Sequence, residues 1–178
     1  LDFAYIDLQN LYFYKNNANG TFSESKSMPL NFVSIEQGGK PTAMASADFD
    51  SDGKPDIAVL NDYHRLTILK NSGNGTFTVA EVRTEFKYPS DVTAADVDYD
   101  GIADLIVGGQ FTSAGNELGL MVYRGMGNGQ FRAPDTYNYY TGSLNSLGSG
   151  ALSIRIAGNK NTCYQSTVSA CSDGTAYN

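Results

Sequence analysis

Two stretches of the 178-residue chain concentrate carboxylates at a fixed spacing. Asp48, Asp50, Asp52 and Asp56 occupy positions 1, 3, 5 and 9 of a loop that has Gly53 at position 6. Asp96, Asp98, Asp100 and Asp104 repeat the arrangement around Gly101, displaced by 48 positions without a gap. Alternate carboxylates on a tightly turned loop converge on one point, and the glycine permits the sharp bend. A hard cation with oxygen ligands suits that point, and calcium accepts an irregular geometry better than magnesium does. Position 7 offers a backbone carbonyl, from Lys54 in one loop and Ile102 in the other. The spacing predicts two Ca2+ sites, one for each loop.

The bland alternative is that these aspartates only form turns on a solvated rim. Electrostatics weighs against it: four carboxylates within nine residues repel one another, and a divalent cation offsets that cost. Two such ions would move the formal charge of the chain from −7 to −3. The loops are not EF-hands. Where that motif closes with a bidentate Glu, these loops have Val59 and Val107, and both lie in predicted strands rather than in an exiting helix.

The elements that must position the loops are repeated too. Leu11–Phe22, Leu66–Phe77 and Leu120–Phe131 read as one hairpin written three times, with Phe22 to Phe77 spanning 55 positions and Phe77 to Phe131 spanning 54. The Asn-Gly pairs at 19–20, 74–75 and 128–129 supply the positive φ angles of tight turns. Runs such as Ile57–Leu60 and Leu105–Val107 are short, apolar, β-branched and bounded by Asp, Gly or Pro, which favours buried strands. No segment carries a sustained helical period with caps, so the chain is predicted to be all-β. The stretch Gly109–Gly119 lengthens one connection inside the repeat, as a surface loop does.

A period of about 50 residues with several short strands in each unit points to β-propeller blades, of which closure takes about 4–8. The chain resembles the FG-GAP/VCBS repeats of integrin α-like propellers. The residues carrying the likeness are the Asp-x-Asp-x-Asp-Gly-x-x-Asp loops at 48–56 and 96–104 and the Asn-Gly-x-Phe ends at 19–22, 74–77 and 128–131. The resemblance implies calcium-stabilised blades, extracellular, used in adhesion or ligand recognition. It carries the aspartates over as calcium ligands position by position; Tyr99 and Ala103 depart from the usual pattern without removing a ligand.

Four units follow. Residues 1–22 are the trailing half of a truncated blade, in which Asp2 matches the last loop aspartate but makes no site by itself. Residues 23–77 and 78–131 are each a repeat with a calcium loop, and 132–178 form a divergent β-rich tail. The propeller is expected to be incomplete, because upstream blades are missing, copies assemble or units stack openly. Leu1–Tyr5 lacks the basic start and cleavage site of a signal peptide and there is no initiator Met, which predicts a processed or truncated chain.

Composition narrows the functions. Acidic residues exceed basic ones by 19 to 12, against the clustered Lys and Arg of nucleic-acid binding, and no apolar run is long enough to span a bilayer. His64, the lone histidine, has no nucleophile motif near it and reads as a surface residue. Cys163 and Cys171 would close a small loop as a disulfide in an oxidising compartment, free buried thiols being the alternative. The segment Thr136–Thr141 is aromatic and reads as sheet packing or as a sugar- or protein-binding patch; Ala151–Ala157 alternates as a strand. The sequons at 19–21 and 74–76 are accounted for by turn geometry.

The leading expectation is a non-enzymatic extracellular or cell-surface module with structural calcium and an extracellular protein or glycan as partner. Alternatives are the subunit of a self-assembling filament or surface layer, whose unfinished edges would pair, and the accessory propeller part of a secreted enzyme. No catalytic constellation stands out in the sequence.

Overall fold

The repeat in the sequence becomes a repeat in strand pairing. A computed structural model describes residues 2–7, 10–29, 40–73, 76–84, 86–111, 118–140 and 154. The first antiparallel sheet contains β1 (Phe3–Ile6), β2 (Asn10–Asn16) and β3 (Phe22–Pro29) in chain order. The second contains β4 (Pro41–Ala47), β5 (Asp56–Asn61), β6 (Leu66–Asn71) and β7 (Phe77–Arg83). The third contains β8 (Phe86–Ala95), β9 (Asp104–Phe111), β10 (Leu118–Tyr123) and β11 (Asp135–Tyr140). Each sheet is a meander of sequential neighbours, and the described residues form no helix, hence none long and apolar enough to cross a membrane.

Register follows the sequence repeat residue by residue. Phe3 pairs with Tyr14, Ile57 with Leu69 and Leu105 with Tyr123, and the next three pairs in each sheet correspond in the same way. A bulge falls at the same place in the first two hairpins, between Phe13 and Tyr14 and between Ile68 and Leu69. The hairpin tips close alike: Asn17, Ser72 and Met126 donate their N–H groups to the carbonyls of Thr21, Thr76 and Gln130 at 2.9–3.0 Å. Gly20 and Gly129 hold the left-handed φ expected of them, while Asn74 and Gly75 lie outside the described residues.

The middle sheet explains why β5 is buried along its whole length. Successive strand residues point to opposite faces, and both faces of this sheet are covered. Ile57 and Val59 join Leu11, Leu69 and Phe77 in one cluster, to which Ala4, Ile6 and Phe13 of the first sheet add. Ala58 and Leu60 join Leu66 and Ile68 in the other, with Leu105, Val107 and Tyr123 of the third sheet. The repeated hairpin-end phenylalanines fill these seams: Phe77 stacks on Phe13 at 4.6 Å, and Phe131 meets Phe49 edge-on at 5.4 Å. Phe22, their counterpart in the first sheet, meets Phe3 of its own sheet edge-on and stays 47% exposed.

Three sheets stacked in this order form an open array of propeller-type blades. The outer face of the first sheet carries Phe3, Tyr5, Tyr12 and Tyr14, paired ring against ring across β1 and β2. These rings stand at the positions taken in the second sheet by Ile57, Val59, Thr67 and Leu69.

Where the loop motif no longer recurs, Asp135–Tyr140 supplies the fourth strand of the third sheet by pairing with β10. Its Tyr137 is exposed at the sheet's edge. Of the expected strand at 151–157 only Ile154 is among the described residues, where its N–H donates to Asp91 Oδ2 at 2.7 Å. Residues 112–117 of the long connection, Cys163 and Cys171 lie outside the described residues.

Candidate metal centres

Each acidic loop connects two antiparallel strands of its sheet, β4 to β5 and β8 to β9. Ser51 and Gly53, and likewise Tyr99 and Gly101, hold left-handed φ angles at loop positions 4 and 6. Two such bends in three residues curl the loop back on itself. Backbone groups then meet carboxylates: Asp48 accepts N–H groups from Asp52 at 3.1 Å and Gly53 at 2.8 Å, and Asp96 accepts them from Asp100 at 3.1 Å and Gly101 at 2.9 Å. The αL position costs a non-glycine side chain strain; Tyr99 stands there 86% exposed, so its ring meets no crowding.

The ninth-position aspartates are buried at the starts of β5 and β9. Asp56 accepts the Phe49 N–H at 3.1 Å and the Asn71 N–H at 2.8 Å. Asp104 accepts those of Val97 at 3.0 Å and Gly125 at 2.9 Å. Burial pushes the Asp56 carboxyl above the usual carboxylate range, against the two N–H donors, and the nearby Asp50 and Asp52 charges push the same way.

The result is two triads. Carboxylate oxygens of Asp48, Asp50 and Asp56 lie within 4.8 Å of one another, and so do those of Asp96, Asp98 and Asp104. Oxygens bound to one calcium at roughly 2.3–2.6 Å can be at most about 5 Å apart. The spacing and the all-oxygen donor set therefore fit a single hard cation in each triad. Asp52 and Asp100 stand outside these groups. Asp52 accepts the Lys54 N–H at 3.0 Å and pairs with Lys54 Nζ at 2.6 Å, which holds its carboxyl below the usual range. Asp100 accepts the Ile102 N–H at 2.8 Å. Lys54 and Ile102 thus meet the loops first through their N–H groups.

Each triad also has a basic neighbour that the reading of acidic residues passed over. Lys70 Nζ forms an ion pair with Asp50 Oδ2, and this contact raises the lysine's pKa above its ordinary value. Arg124 Nη1 lies 3.5 Å from both Asp98 Oδ2 and Asp104 Oδ2, and its Nε lies 3.7 Å from Asp135 Oδ2. Lys70 and Arg124 occupy one repeat position, which in the first hairpin is Lys15. Aligning the three hairpins exposes this recurrence: Lys15-Asn16, Lys70-Asn71 and Arg124-Gly125.

His64 takes a left-handed turn between β5 and β6, and its ring meets Tyr88 edge-on at 5.4 Å.

Residues 1–59 and 48–107 each match the family model for an FG-GAP-like repeat. The two matches overlap across the first acidic loop, and the second runs through the other one. No curated protein matches the chain.

Proposed function

The chain belongs to the family of FG-GAP-like repeats, and from that premise we propose that this β-propeller-like module binds two calcium ions structurally and serves extracellular recognition or adhesion. The carrying observation is that two carboxylate triads recur at one repeat position with the same hydrogen bonds. Calcium in each triad would neutralise carboxylates that turn geometry crowds together, fixing the loops between strands. The role is non-enzymatic: the ion braces a scaffold whose exposed surfaces meet a partner protein or glycan. FG-GAP-like repeats are typical of extracellular proteins, which supports a secreted or cell-surface location.

Equilibrium dialysis against calcium tests the metal. Two ions should bind the full chain, and Asp50→Ala and Asp98→Ala should each remove one. Unchanged stoichiometry in both variants would refute the assignment.

A second reading, self-association into a filament or surface layer, is favoured by the exposed aromatic face of the first sheet, where Phe3 and Tyr5 are 44% and 43% open to solvent. Particle mass separates the two. A single-chain mass with capture on a protein or glycan array supports recognition; growing particles supports assembly.

A further inference from the structure

The two triads share a fold but not a charge environment. Around the first, four loop aspartates face two lysines, Lys54 on Asp52 and Lys70 on Asp50. Around the second, four loop aspartates face a single guanidinium among the described residues, that of Arg124, which Asp135 also draws. Contact geometry differs as well. The Lys70 ammonium is ion-paired with Oδ2 of the triad residue Asp50, whose side chain is only 3% exposed. Arg124 stands 3.5 Å from Oδ2 of the triad residues Asp98 and Asp104, at the outer range of ion pairing, and has a 60% exposed Asp135 as a further partner. Lys70 has no second carboxylate in ion-pair range among the described residues.

We propose that Lys70 is an internal counter-cation that competes with the metal for Asp50, so that the triad Asp96–Asp98–Asp104 loads first and Asp48–Asp50–Asp56 is the weaker, tunable site. The inference rests on the calcium reading above. A divalent ion entering the first triad must take Asp50, a side chain largely closed to water, from an ammonium that neutralises it already. The carboxylate then passes to the metal, and the displaced ammonium loses its partner. An ion entering the second triad meets a looser guanidinium that can lean toward Asp135. Affinity in oxygen-ligand sites follows the charge left uncompensated on the ligands, and that charge is greater in the second triad. The module therefore holds one ion over a wide range of calcium concentrations and takes the second only when calcium is high.

Calorimetric titration of the full chain with calcium chloride tests this. The wild type should give two phases. Asp98→Asn should abolish the tight one and Asp50→Asn the weak one. Lys70→Met, at a half-exposed side chain, should tighten the weak phase about tenfold or more, the equivalent of one charge-assisted hydrogen bond, and leave the tight phase in place. Two equal sites, a reversed assignment by the Asn variants, or a weak phase unmoved in Lys70→Met would overturn the inference while leaving calcium binding intact. Absence of any binding heat would overturn the calcium reading along with it. The Asn variants establish the order of loading even if Lys70→Met should fail to fold.

Discussion

Asp56 Oδ1 accepts the backbone N–H of Asn71 at 2.8 Å, tying the end of the acidic loop to the end of the neighbouring hairpin strand. The same bond joins Asp104 to Gly125 at 2.9 Å and Asp2 to Asn16 at 2.9 Å. The last loop aspartate is therefore a clasp as well as a candidate ligand. In the first sheet Asp2 makes the same clasp.

Removing the clasp should weaken the fold with or without calcium. Asp56→Ala strands the N–H groups of Phe49 and Asn71 beside a 1% exposed site. Each unmet donor costs about 1–3 kcal/mol, so a loss of about 2–4 kcal/mol and a Tm drop of roughly 5–15 °C are expected. Asp2→Ala, at an exposed carboxylate with one such bond, should cost less. Thermal melts in chelator decide it: an Asp56→Ala Tm equal to that of the wild type would leave only a metal role.

Calcium should raise the Tm of the wild type. Each site filled at a hundredfold excess over its Kd adds about 2.7 kcal/mol to the native state. Combining Asp50→Ala with Asp98→Ala should make melting insensitive to chelation, as scanning calorimetry in calcium and in chelator would reveal. A calcium-dependent shift surviving in the double variant would place the ion elsewhere.

Tyr12 gives a pH signature far from the triads. Its hydroxyl donates to Asp7 Oδ2 at 3.0 Å, and this bond to a carboxylate raises the phenol above its ordinary 10.0. The folded chain thus holds the proton more tightly than the unfolded chain does. The resulting stabilisation is whole below pH 10.0 and is lost as pH rises through the higher folded value. Ultraviolet difference titration of wild type against Tyr12→Phe should isolate one late-ionising tyrosine. Asp7→Asn should return it toward the ordinary range; an unmoved midpoint would assign the shift to burial.

Much of the architecture was legible because its signals are local. The apolar run Ile57–Leu60, the acidic loops and the hairpin tips with Gly20 and Gly129 each specify their own backbone. What three-dimensional neighbours decide was not legible. Asp50 and Asp52 look alike in the loop, yet the first turns into the triad and the second out to Lys54, a choice made by side-chain partners. Lys70 and Arg124 lie 14 and 20 positions from the nearest triad ligand in sequence, so only antiparallel pairing brings them to the acids. The rings of Phe3 and Tyr5 alternate as a buried strand would; that their face lies open depends on what stacks beside it.

The seam between the first two sheets should be as cooperative as a core. Phe77 is 9% exposed and lies flat on Phe13, at an interplanar angle of 6°. Phe77→Ala should cost about 3–5 kcal/mol, seen as a lower denaturant midpoint. Phe22→Ala, at the equivalent but exposed position, should cost far less. Equal effects would mean that the two sheets do not bury this contact in solution.

Gly125 takes the repeat position filled by Asn16 and Asn71, and the exchange has a steric cause. In the second sheet the Asn71 amide donates to the Pro55 carbonyl at 2.9 Å, so a side chain fits beside the loop. In the third, a Cβ on Gly125 would stand 2.4 Å from the Ala103 carbonyl oxygen and 2.7 Å from Ile102 Cγ2. The first of these obstacles is backbone and cannot rotate away. Gly125→Asn, though it restores the residue of the other two copies, should push the 96–104 loop outward at a cost of about 1–3 kcal/mol. It should also weaken metal binding there, because Gly125 N–H is one of the two backbone donors that seat Asp104. Asn71→Gly, the reverse exchange, removes two side-chain hydrogen bonds, to the Pro55 carbonyl and from the Gly73 N–H, and should cost about 1–3 kcal/mol while leaving the first site's affinity unchanged. Melting and calcium titration of the two variants together would separate crowding from a general intolerance of change, since an intolerant position would fail in both directions.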